Sequence, residues 1–280
     1  MQFCLDSLTL TDTEPTALIR AAASAGFDLV SLWVQPPPLY PRALVTREKA
    51  NDCLKALEET GVRVACLEAF DLSSSIAVES YRPALELGAR LGATTALAIN
   101  MHNTDAARVA DLLASFAESA RQFGLRVALE PLSGFATSRL AQVRELVLQV
   151  GADNEVGIVF DVYHLMRSGE SPTEVAATAP QLFWHVQLSD GVACVTAEQA
   201  LLESWQERLY PGDGVFPLAE LLQHLPRAGT WSIEAPRLQR ALAGMSPAEQ
   251  ALEAMAAMRR AVALVAKPEG PFQAKHAACN

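Results

Sequence analysis

The stretch WHVQLSD, Trp184 to Asp190, poses the question on which the fold turns. Trp184, Val186 and Leu188 alternate with His185 and Gln187, a period of two that reads as a strand. A strand open to solvent could carry His and Gln opposite an apolar face. So could a strand of a closed barrel whose inner face ends in a binding site. Comparable apolar runs recur along the chain, with helix-period segments between them: Phe3–Leu8, Phe27–Val34, Val62–Phe70, Thr94–Asn100, Leu125–Leu132, Val156–His164, Leu182–Asp190 and Thr230–Pro236. Several of the intervening helices stop at a glycine (Gly26, Gly61, Gly92), as helix C-caps commonly do. A final helix is predicted over Pro247–Val265. Eight strands alternating with helices predict a single (β/α)8 barrel over residues 1–266, with 267–280 as a loosely ordered tail. The glycine-rich fingerprint of a dinucleotide-binding fold is absent.

Composition narrows the function. The chain has 280 residues, is 50% hydrophobic and carries a net charge of −10. Such a surface repels nucleic acid, and no apolar run reaches the length of a membrane span. A small-molecule substrate fits better than either. The five cysteines, Cys4, Cys53, Cys66, Cys194 and Cys279, show no CxxC spacing and are expected to be free thiols, the buried ones inert. The opening MQFCLDSLTL lacks a basic region and reads as a strand, so a cytoplasmic location is expected.

The polar residues at the strand ends carry the chemistry. Glu130, Asp161 and Glu234 end the fifth, sixth and eighth strands, and Gln187 holds the matching place in the seventh. The alternation puts Glu130 on a face with Ala128, Asp161 with Gly157 and Val159, Gln187 with His185, and Glu234 with Ser232. Leu129, Val127, Phe160, Trp184, Val186 and Ile233 are then expected to face the helices. In a barrel the C-terminal strand ends converge on one mouth, where catalytic groups lie. A lone acid at a strand end is most often a helix N-cap or a solvated loop residue. Four oxygen donors in phase on consecutive strands argue for a shared site, against the alternative of a hydrogen-bonded polar plug. Converging carboxylates repel strongly unless a cation joins them. An oxygen-rich donor set without thiolate suits Mn2+ or Mg2+, with Co2+ as a further option. Gln187 is thus read as the neutral ligand beside three acidic ones, and His185 as its inner-face neighbour and a candidate substrate contact. Glu68, ending the third strand, and Trp33, ending the second, are further candidate substrate contacts. Core packing is the commoner role for a tryptophan so placed.

Five segments together carry a resemblance over Phe3 to about Val265: LEP at 129–131, FDVYH at 160–164, HVQLSD at 185–190, PGDG at 211–214 and IEAP at 233–236. The chain resembles the xylose-isomerase-like barrels, the sugar isomerase/epimerase superfamily, which includes hydroxypyruvate isomerase, ketose 3-epimerases, inosose dehydratase and 3-dehydroshikimate dehydratase. The resemblance implies Glu130, Asp161, Gln187 and Glu234 as metal ligands, with Gln187 where many members have histidine. It implies His164 and Arg208 as substrate-contacting residues, and Glu130 and Glu234 as catalytic acid/base groups. It also implies a homo-oligomer, since members often form dimers or tetramers. The histidine-rich zinc cluster and basic face of the DNA-repair members are missing. The expected activity is metal-dependent isomerisation or epimerisation of a sugar-like hydroxy-ketone through an enediolate. The alternative is a dehydratase of a 3-dehydroshikimate-like or inosose-like substrate, with Arg208, Arg42 or Arg237 binding a carboxylate. A non-catalytic metal-binding barrel is the third reading.

Overall fold

A computed structural model describes residues 1–73, 77–151 and 156–266. Eight parallel strands close in chain order: β1 (Gln2–Leu5), β2 (Leu29–Trp33), β3 (Arg63–Asp71), β4 (Thr95–Ile99), β5 (Arg126–Leu129), β6 (Val156–Asp161), β7 (Phe183–Leu188) and β8 (Thr230–Ile233), with β8 returning to β1. The principal helices around them are α1 (Pro15–Ala25), α2 (Ala50–Thr60), α3 (Arg82–Arg90), α4 (Ala106–Arg121), α5 (Leu140–Val150), α6 (Val162–Arg167), α7 (Pro172–Ala176), α8 (Ala197–Gln206), α9 (Leu218–Leu222), α10 (Leu238–Leu242) and α11 (Pro247–Ala266). The predicted barrel is therefore the observed one. The predicted tail lies outside the described residues. Among the described residues, no helix is long and apolar enough to cross a membrane.

Period-two alternation divides the core into two shells. Outward residues such as Leu5, Val30, Val127, Phe160, Val186 and Ile233 pack with the helices in one large cluster. Inward residues form smaller clusters, Cys4 with Leu29 and Ala65, and Leu97 with Ala128 and Val159. Small inner residues leave room above them for the strand-end side chains. Helix punctuation is local. α1 starts at Pro15 and stops at Gly26 with φ +84°, and α2 stops at Gly61 with φ +72°, a conformation that disfavours any side chain.

Several expectations need correction. β1 ends at Leu5 rather than Leu8, because the Asp6 side chain accepts the Leu8 N–H and caps a 3-10 turn, Ser7–Thr9. β6 ends at Asp161 rather than His164, because Asp161 caps α6 by accepting the Tyr163 N–H at 2.6 Å. Trp184 does not face the helices. A bulge between β6 and β7 pairs Ile158 with Phe183 but Val159 with His185, which shifts the alternation by one residue. The Trp184 ring instead lies over Gly157 and under the Arg126 guanidinium, 4.7 Å from the ring centroid. A Cβ at position 157 would run into that ring. Gly157→Ala is expected to cost ~1–3 kcal/mol of stability, read from urea unfolding. An unchanged midpoint would show that the indole can move freely. Cys4, Cys53 and Cys66 are free and buried, as expected. Cys194 departs from expectation: it lies exposed on the loop after β7 and is disulfide-bonded rather than a free thiol. Cys279 lies outside the described residues.

Candidate active site

Among the described residues, the mouth of the barrel holds five buried carboxylates, those of Asp6, Glu68, Glu130, Asp161 and Glu234. Glu130 and Glu234 are the first residues past β5 and β8, anchored by their backbone N–H groups to Ala98 O at 2.9 Å and Leu188 O at 3.0 Å. Two sets could each hold a cation: Glu130, Asp161 and His164, and Asp6, Glu68 and Glu234, with the ligand atoms of each set within 4.8 Å of one another. The Arg208 guanidinium joins the sets. Its Nη1 donates to Asp161 Oδ2 at 2.9 Å, to Glu234 Oε2 at 2.7 Å and to the Glu234 carbonyl at 3.2 Å.

Arg208 is itself only 2% exposed. Its Nε donates to Ser204 O at 3.0 Å, and its guanidinium lies 4.6 Å from the centroid of the Tyr163 ring. Tyr163 is fixed by its hydroxyl, which donates to Ala200 O at 2.7 Å and to Glu203 Oε2 at 2.9 Å. A second anchor acts through the chain. Asp190 and Leu209 exchange two backbone hydrogen bonds, and the Asp190 carboxylate accepts the N–H groups of Gly191, Gly212 and Phe216. Gly214 must lack a side chain because a Cβ would meet Asp190 Oδ1. The PGDG segment is thus wrapped around one carboxylate, and this holds Arg208 in the mouth.

The electrostatics follow from burial. Burial, and then neighbouring acids, push Glu68 and Glu130 well above the ordinary carboxylate range. Burial does the same to Glu234, although Arg208 opposes it. Burial also works against Asp161, but Arg208, His164, Glu234 and the Tyr163 N–H together outweigh it and the carboxyl ends below the usual range. Burial raises Asp6 as well, and its carboxylate faces that of Glu68 within 4.8 Å. Burial lowers His164 and His185 to about 4, so both rings are neutral near pH 7. One guanidinium among five acids leaves an excess of potential negative charge that only protons or a cation can balance.

Gln187 tests whether a cation fits. It is buried, yet neither its Oε1 nor its Nε2 has a hydrogen-bond partner. An unpaired buried amide is costly, and an amide oxygen facing carboxylates is a hard-cation ligand. The donor set suits such an ion.

The structure brings most of the expected residues to one cavity, lined by Glu130, Gln187, Glu234, His164, Arg208, Glu68 and Trp33 among others. Asp161 does not line it and is reached through Arg208, whose Nη1 donates to it. His185 is buried below Gln187, does not line the cavity and has an unpaired Nε2. His164 Nδ1 lies 2.9 Å from Ser133 Oγ, and its Nε2 is 3.8 Å from Asp161 Oδ2. Arg42 pairs with Glu14 and Arg237 with Glu207; neither lines the cavity. Sequence reasoning missed Asp6, Ser133, Phe135 and Trp205. Asp6 is in phase with the inward Cys4, which was a usable signal; the other three sit on loops or α8, where periodicity is silent.

Fold and site together define a (β/α)8 barrel with an oxygen-donor cluster at its C-terminal mouth. The sequence profile of the xylose isomerase-like TIM barrel matches residues 19–261, and the chain belongs to that family. Among solved structures, a xylose isomerase-like TIM barrel/4-hydroxyphenylpyruvate dioxygenase fusion protein superposes with a TM-score of 0.78 at 20% identity, over 95% of this chain and 43% of the other. The IOLI protein with a bound zinc atom gives 0.74 at 16%, over 95% and 98%. D-psicose 3-epimerase in the presence of D-fructose gives 0.72 at 16%, over 95% and 100%. No curated protein matches the chain.

Proposed function

We propose that the chain is a divalent-metal-dependent isomerase or epimerase of a sugar-like hydroxy-ketone. The observation that carries this reading is the unpaired Gln187 amide set among the buried acids Glu130, Asp161 and Glu234 on consecutive strands. These four residues would hold the ion. When bound, it would polarise a substrate carbonyl and make the adjacent C–H acidic. The family membership and the likeness in fold to D-psicose 3-epimerase are consistent with such chemistry.

The protein's own residues supply the remaining parts. Glu130 follows β5 and Glu234 follows β8, two non-adjacent strands, and both line the cavity. Either carboxylate can take the proton from the α-carbon. Return by the other to the opposite face gives epimerisation, and return at the neighbouring carbon gives isomerisation. Arg208 keeps Asp161 and the Glu234 carboxylate oriented, and His164 offers a neutral imidazole to a substrate oxygen. Dehydration of a carboxylate-bearing substrate is the weaker reading. Arg208 is engaged by Asp161 and Glu234, while Arg42 and Arg237 lie outside the cavity.

The test is wash-in of solvent deuterium at the carbon next to the carbonyl, followed by proton NMR with Mg2+ present. Glu130→Gln and Glu234→Gln are each expected to lower that rate by at least ~100-fold while leaving the far-ultraviolet circular dichroism unchanged. Wild-type rates in the double variant would sink the proposal. New olefinic signals would mean dehydration.

A further inference from the structure

The cavity is divided by chemistry along the barrel's own strand order. From β5 to β8 come Glu130, His164, Gln187 and Glu234, with Arg208 above them. From the β1–β4 side come Leu8, Trp33, Ala69, Leu97 and Ile99. Trp205 on α8 and Phe135 on the loop after β5 complete the apolar side. The rings of Trp33 and Trp205 lie 6.3 Å apart at an interplanar angle of 32°. They belong to an apolar cluster with Leu8, Tyr40 and Ala43 that continues behind the wall. About 80 Å3 of the cavity is open to the centre of a water-sized sphere, room for several waters or a small group.

The polar groups on that side are committed elsewhere. Glu68 is turned to Asp6 and Glu234, the three offering oxygens within 4.8 Å of one another, and Ser204 Oγ donates to Leu201 O at 2.7 Å. Among the described residues lining the cavity, Arg208 is the only cation, and its Nη1 and Nε already serve Asp161, Glu234 and Ser204. A chain of hydroxyls laid against Trp33, Ile99 and Phe135 would lose water without gaining partners, which is costly. A phosphate or carboxylate at the apolar end would meet no cation but Arg208, whose remaining Nη2 faces His164 Nε2 at 3.5 Å on the polar side.

On this basis, and resting on the isomerase reading above, we propose that the substrate is a neutral hydroxy-ketone whose far end is apolar, an aromatic or largely deoxygenated ring or chain. The hydroxy-carbonyl head lies on the acids, and the apolar end lies between Trp33, Trp205 and Phe135. A polyhydroxylated free sugar and a sugar phosphate are both disfavoured.

The test uses three open-chain ketols that share one head group: 1-hydroxy-4-phenylbutan-2-one, L-erythrulose and dihydroxyacetone phosphate. Binding to the Mg2+-loaded protein is followed by tryptophan fluorescence, and deuterium wash-in is followed in parallel. The phenyl ketol is expected to bind at least ~10-fold tighter than either of the others. Phe135→Asn, on a half-buried loop position, should narrow that ratio. Equal or tighter binding of erythrulose or the phosphate, or binding of none of the three, overturns the inference. So does an unchanged ratio in folded Phe135→Asn. Tight phenyl-ketol binding without wash-in upholds the substrate class and sinks the isomerase reading. Wash-in that favours erythrulose does the reverse.

Discussion

Addition of Mn2+ to the metal-stripped protein, at a thousand times its dissociation constant, is expected to raise the thermal midpoint by about 8 °C. Binding at that ratio stabilises the folded state by ~4 kcal/mol, and a chain of this length gains roughly 2 °C per kcal/mol. The physical reason is charge. Asp6, Glu68, Glu130, Asp161 and Glu234 are all buried around a single guanidinium. Without a cation, several of them must hold protons to be tolerated, as the upward pressure of burial on Glu68, Glu130 and Glu234 indicates. A divalent ion held there would replace those protons and give the Gln187 oxygen a partner. Differential scanning calorimetry with EDTA and then with Mn2+, Mg2+ and Co2+ measures the shift. Glu130→Gln and Gln187→Ala should each reduce it. No shift with any of the three ions would remove the basis for a metal site.

Replacement of Arg208 by methionine has the second large effect. Removing one partner of a buried ion pair leaves its acids uncompensated, at a cost of roughly 3–5 kcal/mol, a large part of a typical domain's total stability. Here two acids lose the same partner, Asp161 at 2.9 Å and Glu234 at 2.7 Å. The loss should appear in urea unfolding in EDTA at neutral pH. Asp161 is held below its ordinary value, so the stability it draws from Arg208 is complete above about 3.8 and falls away as pH drops through the folded value. The gap between wild type and Arg208→Met should therefore be widest near neutrality and close in acid. Mn2+ should recover part of the loss in the variant by supplying the missing positive charge. A variant as stable as wild type in EDTA would show that the acids are neutral with or without the arginine.

Most of the barrel was legible because it follows from two repeating signals, apolar runs of period two and helices that stop at glycine. The strand-end acids were legible for the same reason: alternation fixes which side chains point inward, and parallel closure brings their ends together. Trp184 was not, because a bulge adds a residue without leaving a mark on the sequence pattern. Asp161 shows how two readings can both hold. It caps α6 through Tyr163 N–H and also faces Arg208 among the acids. His164 thereby moves from a strand to the first turn of a helix. Arg208, a candidate substrate contact, lines the cavity and also pairs with Asp161 and Glu234, a second engagement that was not legible because the fold of the loop after β7 depends on contacts of Asp190 that no local pattern announces. Trp205 and Phe135 sit on segments without periodicity, so the apolar half of the cavity became visible only with the chain folded.

Asp190 has a consequence for how this barrel can diversify. It accepts the N–H groups of both Gly191 and Phe216, and Val215 N–H donates to Gly191 O at 3.0 Å, so the segment between them is closed at its neck. The entropy of bringing those ends together is therefore met by contacts outside the segment's tip, and lengthening the tip adds only a slowly growing logarithmic penalty. α8, which carries Trp205 to the cavity, lies on that tip, whereas Leu209, beside Arg208, is paired with Asp190 at the neck. Yet α8 also holds Arg208 through Ser204 O and Tyr163 through Ala200 O and Glu203, so an insertion between Val192 and Thr196 would shift the substrate wall and the charge machinery together, and new substrates are reached more readily by exchanging side chains on α8 than by changing the length of the segment before it.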